Sequence, residues 1–320
     1  MTHRRKFILG ISALLASRQL CAQGNKPARI GVLRSAALDL FREPFLRGLK
    51  DHGYVEGRNV VIDWHSAEGH VNRLPALAAE LVRNRPDVIV AGPSPAIEAA
   101  RQLTTTIPIV MAPAGDPLGT GFVKSLSRPG GNITGVALLS SELSGKRLEL
   151  LRELMPGVRR IGVLAHVTDP FAKPFTGQTN DAARTLGMLT HVEQVLAPAE
   201  VEAALVSMRK AGVQAVVVQG LMGTNPEWRL GEIATRLRIP TISDARHAEF
   251  GGLVGYGPSL AASFGLAATY VARILGGARP ADLPVEQPSK LELLINLRTA
   301  KALGITVPPA VLVRADRVIE

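Results

Sequence analysis

The run Arg-Ile-Gly-Val-Leu occurs twice, at 29–33 and again at 160–164. Each copy opens the same series of short apolar strands and amphipathic helices. In the first series, strands are expected at 28–33, 60–64, 86–91 and 107–111, separated by helices at 41–52, 74–83 and 96–103. In the second, strands at 160–165, 191–195, 215–219 and 240–243 alternate with helices at 178–186, 199–210 and 230–237. Strands that alternate with helices of ten or so residues form βαβ units, and βαβ units form parallel sheets. Two such series in tandem predict an α/β protein with two Rossmann-like lobes, each built on a parallel sheet, and a cleft between them. At 320 residues the chain also exceeds the length at which one core usually stops growing.

After Phe250 the order changes. A Gly-rich strand at 251–257 leads to a helix at 260–275, a Pro-rich segment at 280–288, an apolar strand at 290–295 and a last helix at 299–303. Late segments of this kind are expected to cross between lobes. The predicted division is 27–137 with 252–283 for the first lobe, and 138–251 with 284–320 for the second.

The first 24 residues hold Arg4, Arg5, Lys6 and Arg18, no acid, and an apolar stretch from Phe7 to Ala16. That is the anatomy of an export signal and is short for a membrane span. The Arg pair also suits a twin-arginine signal, so both the general secretory and twin-arginine routes stay open, and the periplasm is the expected destination. Arg18 stands where a lipobox normally has Leu, which disfavours lipidation at Cys21. Because Cys21 is the only cysteine, the mature chain has neither a disulfide nor a thiol nucleophile. Without these residues, the net charge of +10 falls to 33 basic against 27 acidic side chains. No Lys/Arg run is interleaved with aromatics, so nucleic acid is not an expected partner.

The stretch from Thr104 to Val136 organises the first half. A buried-looking strand runs into Asp116-Pro-Leu-Gly-Thr-Gly121, then a short helix and a second Gly-rich turn. In open α/β sheets, ligands bind beyond the carboxyl ends of the strands, so candidates are sought there. Ser35 and Ser94 precede or open helices, where hydroxyls and free backbone N–H groups suit a carboxylate; Ser94 is equally placed to be an ordinary N-cap. Asp116 suits a ligand ammonium, or caps its own turn, and Asp244 is its counterpart in the other lobe. Trp64 and Tyr256 are placed to stack on a ligand or to pack. His166 and Thr168 end a strand of the second lobe and are placed to close over the ligand.

Enzyme chemistry finds little support. The histidines are scattered, with no HExxH or Cys/His cluster for a metal. There is no G-x-S-x-G elbow and no Walker A lysine. Gly119-x-Gly121 lacks the third glycine of a dinucleotide loop. No cofactor, metal or catalytic residue is therefore predicted, and any ATPase must be a separate chain.

Several blocks, in order, resemble one family: GYVEGRN at 53–59, TIPIV at 106–110, GDPLGTG at 115–121, RPGGNITG at 128–135, KRLELL at 146–151, GGLVGYG at 251–257, ADLPVEQP at 281–288 and INLRTAKALG at 295–304. Over about residues 28–320 the chain is similar to the substrate-binding proteins of ABC transporters that include tryptophan- and tyrosine-binding members. The resemblance implies a type I periplasmic-binding fold with a three-stranded hinge, and a permease partner with a cytoplasmic ATPase. Trp64-His65 stands where many members carry an aromatic followed by arginine, so the resemblance does not fix the ligand. The resulting expectation is an exported protein that captures an amino acid or other small carboxylate for import. A ligand-sensing partner of a membrane receptor is the alternative, and a cryptic α/β enzyme a weaker one.

Overall fold

The computed structural model describes residues 26–35, 39–138 and 140–320; the predicted export signal lies outside them. The first sheet contains β1 (Ala28–Arg34), β2 (Val60–Ser66), β3 (Val88–Gly92), β4 (Ile109–Ala114) and β5 (Ile133–Ala137), all parallel, in the order β2-β1-β3-β4-β5. Helices α1 (Asp39–Asp51), α2 (Leu74–Arg83) and α3 (Ser94–Arg101) connect them. The chain then enters α4 (Ser140–Leu154), β6 (Arg160–His166), α5 (Ala172–Thr185), β7 (Leu189–Val195), α6 (Val201–Lys210), β8 (Ala215–Val218), α7 (Gly220–Gly223), α8 (Leu230–Arg236) and β9 (Thr241–Ser243). Next come β10 (Val254–Pro258), α9 (Leu260–Leu275), β11 (Leu291–Asn296), α10 (Leu297–Leu303), α11 (Pro309–Arg314) and β12 (Arg317–Ile319). The second sheet runs β12-β11-β10-β9-β8-β6-β7. Strands β6 to β10 repeat the parallel 2-1-3-4-5 order of the first lobe, and β11 is added antiparallel to β10.

The repeated Arg-Ile-Gly-Val-Leu run has one structural job in both lobes. Side chains alternate across a strand, so Ile30 and Val32 enter the core beneath α1 and α9, while Leu33 enters the core beneath α2 and α3. The glycine between them lets a helix approach the sheet. A Cβ on Gly31 would lie 2.8 Å from Leu81 of α2, and one on Gly162 would lie 2.7 Å from Met208 of α6. Burial of each Val, Ile or Leu in these layers is worth about 1.5–3 kcal/mol.

Three segments cross between the lobes. The first joins β5 to α4, the second joins β10 to α9, and the third leads from residues 285–286 to β11. Pairing moves two of these crossings from their expected places. Residues 254–258 belong to the second sheet, because β10 pairs with both β9 and β11. The chain enters the first lobe only with α9, which packs against α1. Glu286 bridges Val136 of β5, and Val285 is buried in the first lobe's core, so the return crossing follows residue 286. The short helix expected after Gly121 is a series of turns instead; Pro117, Pro129 and glycines at positive φ at 121 and 130 leave no continuous helical run.

Candidate functional site

The carboxyl ends of the two sheets face each other across a cavity of about 370 Å³. Its walls come from the segments following β1, β3 and β4 in the first lobe and β6, β8 and β9 in the second, with α1, α4, α5 and α9 closing the sides. In a 2-1-3-4-5 sheet the order reverses between the first and third strands, and that switch point opens a crevice. Arg34 stands at the end of β1 and Ser94 just after β3, on either side of that crevice.

Arg34 is the cation of the first-lobe wall. Its guanidinium lies 4.7 Å from the centre of the Phe41 ring and 5.0 Å from that of Phe264, and one terminal nitrogen donates to the Ala112 carbonyl. Its Nε has no partner among the described residues, and no described carboxylate is within ion-pair distance. Burial lowers its pKa to about 10, which leaves it charged at neutral pH.

The second lobe offers an acid. Asp169 is 5% exposed; its Oδ1 accepts from the Phe171 N–H at 2.9 Å and its Oδ2 from Nε2 of Gln219 at 2.8 Å. Burial pushes its carboxyl up to about 7. Gln219 is fixed in turn, because its Oε1 accepts from the His166 N–H at 2.8 Å. The other buried charges are paired. Arg147 of α4 forms an ion pair with Asp244 and donates twice to the Tyr256 carbonyl, at 3.0 and 2.8 Å.

Aromatic side chains make up 4% of the chain, yet five of its eight phenylalanines line this one cavity: Phe41, Phe171, Phe175, Phe250 and Phe264. The cavity is therefore an apolar chamber with, on one wall, a cation that has no counter-ion among the described residues and, on the other, a buried acid.

The eight residues singled out in the sequence distribute unevenly. Ser94 and Asp244 line the cavity. The Ser94 Oγ accepts from the Gly115 N–H at 3.3 Å, and Asp244 is committed to Arg147. Ser35 is fully buried, its N–H bonded to the Gly92 carbonyl and its own carbonyl to the Gly69 N–H. Trp64 sits behind the wall, edge-on to Phe41 and Phe45, with Nε1 donating to Glu56 at 2.8 Å. Tyr256 offers its backbone carbonyl to Arg147 and packs its ring against the second-lobe core. His166 and Thr168 line a neighbouring interlobe groove; Nδ1 of His166 and the Thr168 hydroxyl are 3.2 Å apart. Asp116 caps its own turn through the N–H groups of Leu118 and Gly119, and its other oxygen accepts from Gln178 of the second lobe at 2.7 Å. Sequence reasoning missed Arg34, Asp169, Gln219 and the phenylalanine cluster. The available signal was position: Arg34 directly follows a predicted strand, and Asp169 lies four residues past another.

The lobes touch on both sides of the cavity. The Phe171 ring packs on Gly115, Gln178 reaches Asp116, and Nε2 of His70 is 3.7 Å from Glu227. A two-lobed α/β molecule enclosing a chamber between its strand ends belongs to the class of cleft-binding proteins, which trap small ligands by closure. Residues 29–319 match the family model described as ABC transporter substrate binding protein, and the chain belongs to that family of binding proteins rather than enzymes. It is 30% identical over 287 residues to the tyrosine-binding protein of Clostridioides difficile, covering 88% of this chain and 82% of that one. A Streptococcus pneumonia ABC domain solved in complex with L-Trp is 28% identical with a TM-score of 0.83, over 92% of this chain and all of that one. A ligand-free, open substrate-binding protein with adhesive properties from Clostridium difficile is 25% identical with a TM-score of 0.66, over 91% and 99%. The lower score against the open form agrees with the interlobe contacts: this structure is in a closed arrangement. The fold is the type I periplasmic-binding fold.

Proposed function

We infer that this protein is exported, captures an aromatic α-amino acid in the interlobe cavity, and delivers it to an ABC permease driven by a separate ATPase. The observation that carries the reading is Arg34, a buried cation held between Phe41 and Phe264 with no described carboxylate partner, opposite Asp169 in the same chamber. A cation removed from water without a counter-ion is costly, and a ligand carboxylate would supply that counter-ion. Asp169, held by Gln219, is suited to the ligand ammonium, and the phenylalanine walls to an aromatic side chain. A tyrosine-binding relative and a tryptophan complex in the same family support this choice of ligand. The mechanism is closure. A ligand whose carboxylate meets one lobe and whose ammonium meets the other stabilises only the closed form, and it shifts the population by that difference in affinity.

Titration calorimetry with L-tryptophan, L-tyrosine, L-leucine, tryptamine and indole-3-propionate tests the reading, using protein refolded from denaturant to strip carried ligand. Saturable binding of an aromatic amino acid, with weaker binding of the amine and of the acid, is the expected result. Binding of neither aromatic amino acid would overturn the ligand assignment. Cell fractionation checks export: the protein should be recovered outside the cytoplasm without the segment containing Cys21.

A further inference from the structure

We propose that Asp116 and Gln178 form a clasp that holds the lobes closed, and that the Gly-Asp-Pro-Leu-Gly run at 115–119 is the socket for α5 of the opposite lobe, with Asp116 spent on the clasp rather than on the ligand. The two oxygens of the Asp116 carboxylate divide the labour. Oδ1 of Asp116 accepts from the backbone N–H groups of Leu118 at 3.1 Å and Gly119 at 2.9 Å, which fixes the side chain on its own turn. Oδ2 is then left pointing away from that turn, and it accepts from Nε2 of Gln178 at 2.7 Å across the cleft. A carboxylate only accepts, so the Gln178 amide must present its nitrogen. Its Oε1 has no partner among the described residues. Gln178 thus forgoes one hydrogen bond in order to make the interlobe one, which is charge-assisted and of the stronger kind.

The two glycines of the run complete the socket. A Cβ at Gly115 would overlap the ring of Phe171, and one at Gly119 would lie 2.5 Å from the Asp116 carboxylate and 3.1 Å from Pro174. Phe171 directly precedes α5, Pro174 lies in its first turn and Gln178 in the next. One face of that helix therefore seats in a depression that only glycine leaves open. Opening the lobes must break this contact, so the clasp sets the closed fraction and the rate of ligand release without touching the ligand.

The bond's polarity provides the test. Gln178→Glu places two carboxylates against each other, whereas Asp116→Asn with Gln178→Glu restores a donor–acceptor pair with the direction reversed and keeps the turn cap, because Asn also offers an oxygen. L-tryptophan affinity and dissociation rate are measured by calorimetry and stopped flow, and the radius of gyration by small-angle scattering with and without L-tryptophan. The expected result is about tenfold weaker binding in Gln178→Glu, appearing as faster release, with a larger radius, and recovery to within about threefold of wild type in the double variant. Gly115→Ala should also enlarge the radius, by wedging Phe171 away. An unchanged radius in Gln178→Glu, or a double variant no better than the single one, would overturn the clasp. The affinity readings rest on the ligand assignment above. If wild type does not bind L-tryptophan that assignment fails, while the scattering comparison without ligand still decides the clasp.

Discussion

Asp169 and Gln219 are joined at 2.8 Å in a direction that Gln219 cannot reverse, because its own oxygen is held by the His166 N–H. Both hydrogen bonds that Asp169 receives come from neutral donors, and burial, the dominant influence, raises its pKa to about 7. In the unfolded chain the group titrates near 3.8. The empty protein therefore binds this proton more tightly than the unfolded chain does. The stabilisation is complete below 3.8 and is lost as pH rises through 7. A ligand ammonium requires the ionised form, so binding should expel the proton. Below pH 7, Kd should fall by up to about tenfold per pH unit and then level off above it. Calorimetry in buffers of different ionisation enthalpy checks the released proton.

His247 should act in the opposite direction. It is fully buried, with Nδ1 at 2.7 Å from the Gly223 carbonyl and Nε2 at 2.8 Å from the Thr241 hydroxyl. Because a carbonyl only accepts, Nδ1 carries the hydrogen and the ring is neutral. Burial lowers its pKa from 6.5 to about 4. Its contribution is fully present above 6.5 and is lost as pH falls toward 4, by an amount on the order of 3 kcal/mol. Because Asp169 gains stability over the same pH range, the loss is read by comparison in urea denaturation at pH 7.5 and 4.5: His247→Gln should be less stable than wild type at pH 7.5 but fare better relative to it at pH 4.5.

Replacing Arg34 separates binding from stability. Arg34→Met removes a buried cation that has no described counter-ion, so thermal stability should hold or rise slightly. L-tryptophan affinity should fall by about 2–5 kcal/mol, whereas tryptamine, which has no carboxylate, should be affected much less. Calorimetry on both ligands, with thermal denaturation of the empty protein, reads the two effects.

Gly31→Ala and Gly162→Ala test the repeated run. Each inserts a methyl against a buried side chain, Leu81 or Met208, and overpacking of this kind costs about 1–3 kcal/mol. Met208 has an adaptable side chain, but the added methyl at 162 would also lie 2.8 Å from the β-branched Val216, so both variants should lose comparable stability in denaturant unfolding. Ligand affinity should be unchanged in both, since neither glycine lines the cavity.

The scaffold was legible in the sequence because strand identity depends on local apolar pattern, and both 2-1-3-4 series carried it. Strand β5 was not, since Ile-Thr-Gly-Val-Ala is short and contains a glycine at positive φ, Gly135. The crossings were misplaced where a strand's sheet depends on its partner: Val254–Pro258 reads as a strand in either lobe, and only pairing with β9 and β11 assigns it. The site was the least legible part. Serines, acids and aromatics at strand ends satisfy the same local pattern whether they face a ligand or a neighbouring group, as Trp64 and Asp116 illustrate. The phenylalanines that line the cavity come from α1, the start of α5, the turn before Gly251 and α9, so no window of sequence brings them together. Arg34 stood in plain view, but its lack of a counter-ion among the described residues is a property of three dimensions.

The double passage of the chain through the first lobe also bears on the order in which the molecule can be made. Phe41 and Phe45 of α1 are covered by Phe264 and its neighbours on α9, more than 200 residues later. A chain emerging from the ribosome thus holds the first lobe's apolar face uncovered until nearly all of the protein has been synthesised. Long-range closure of this kind is slow, and it leaves the early segments unfinished while the rest of the chain is still being made.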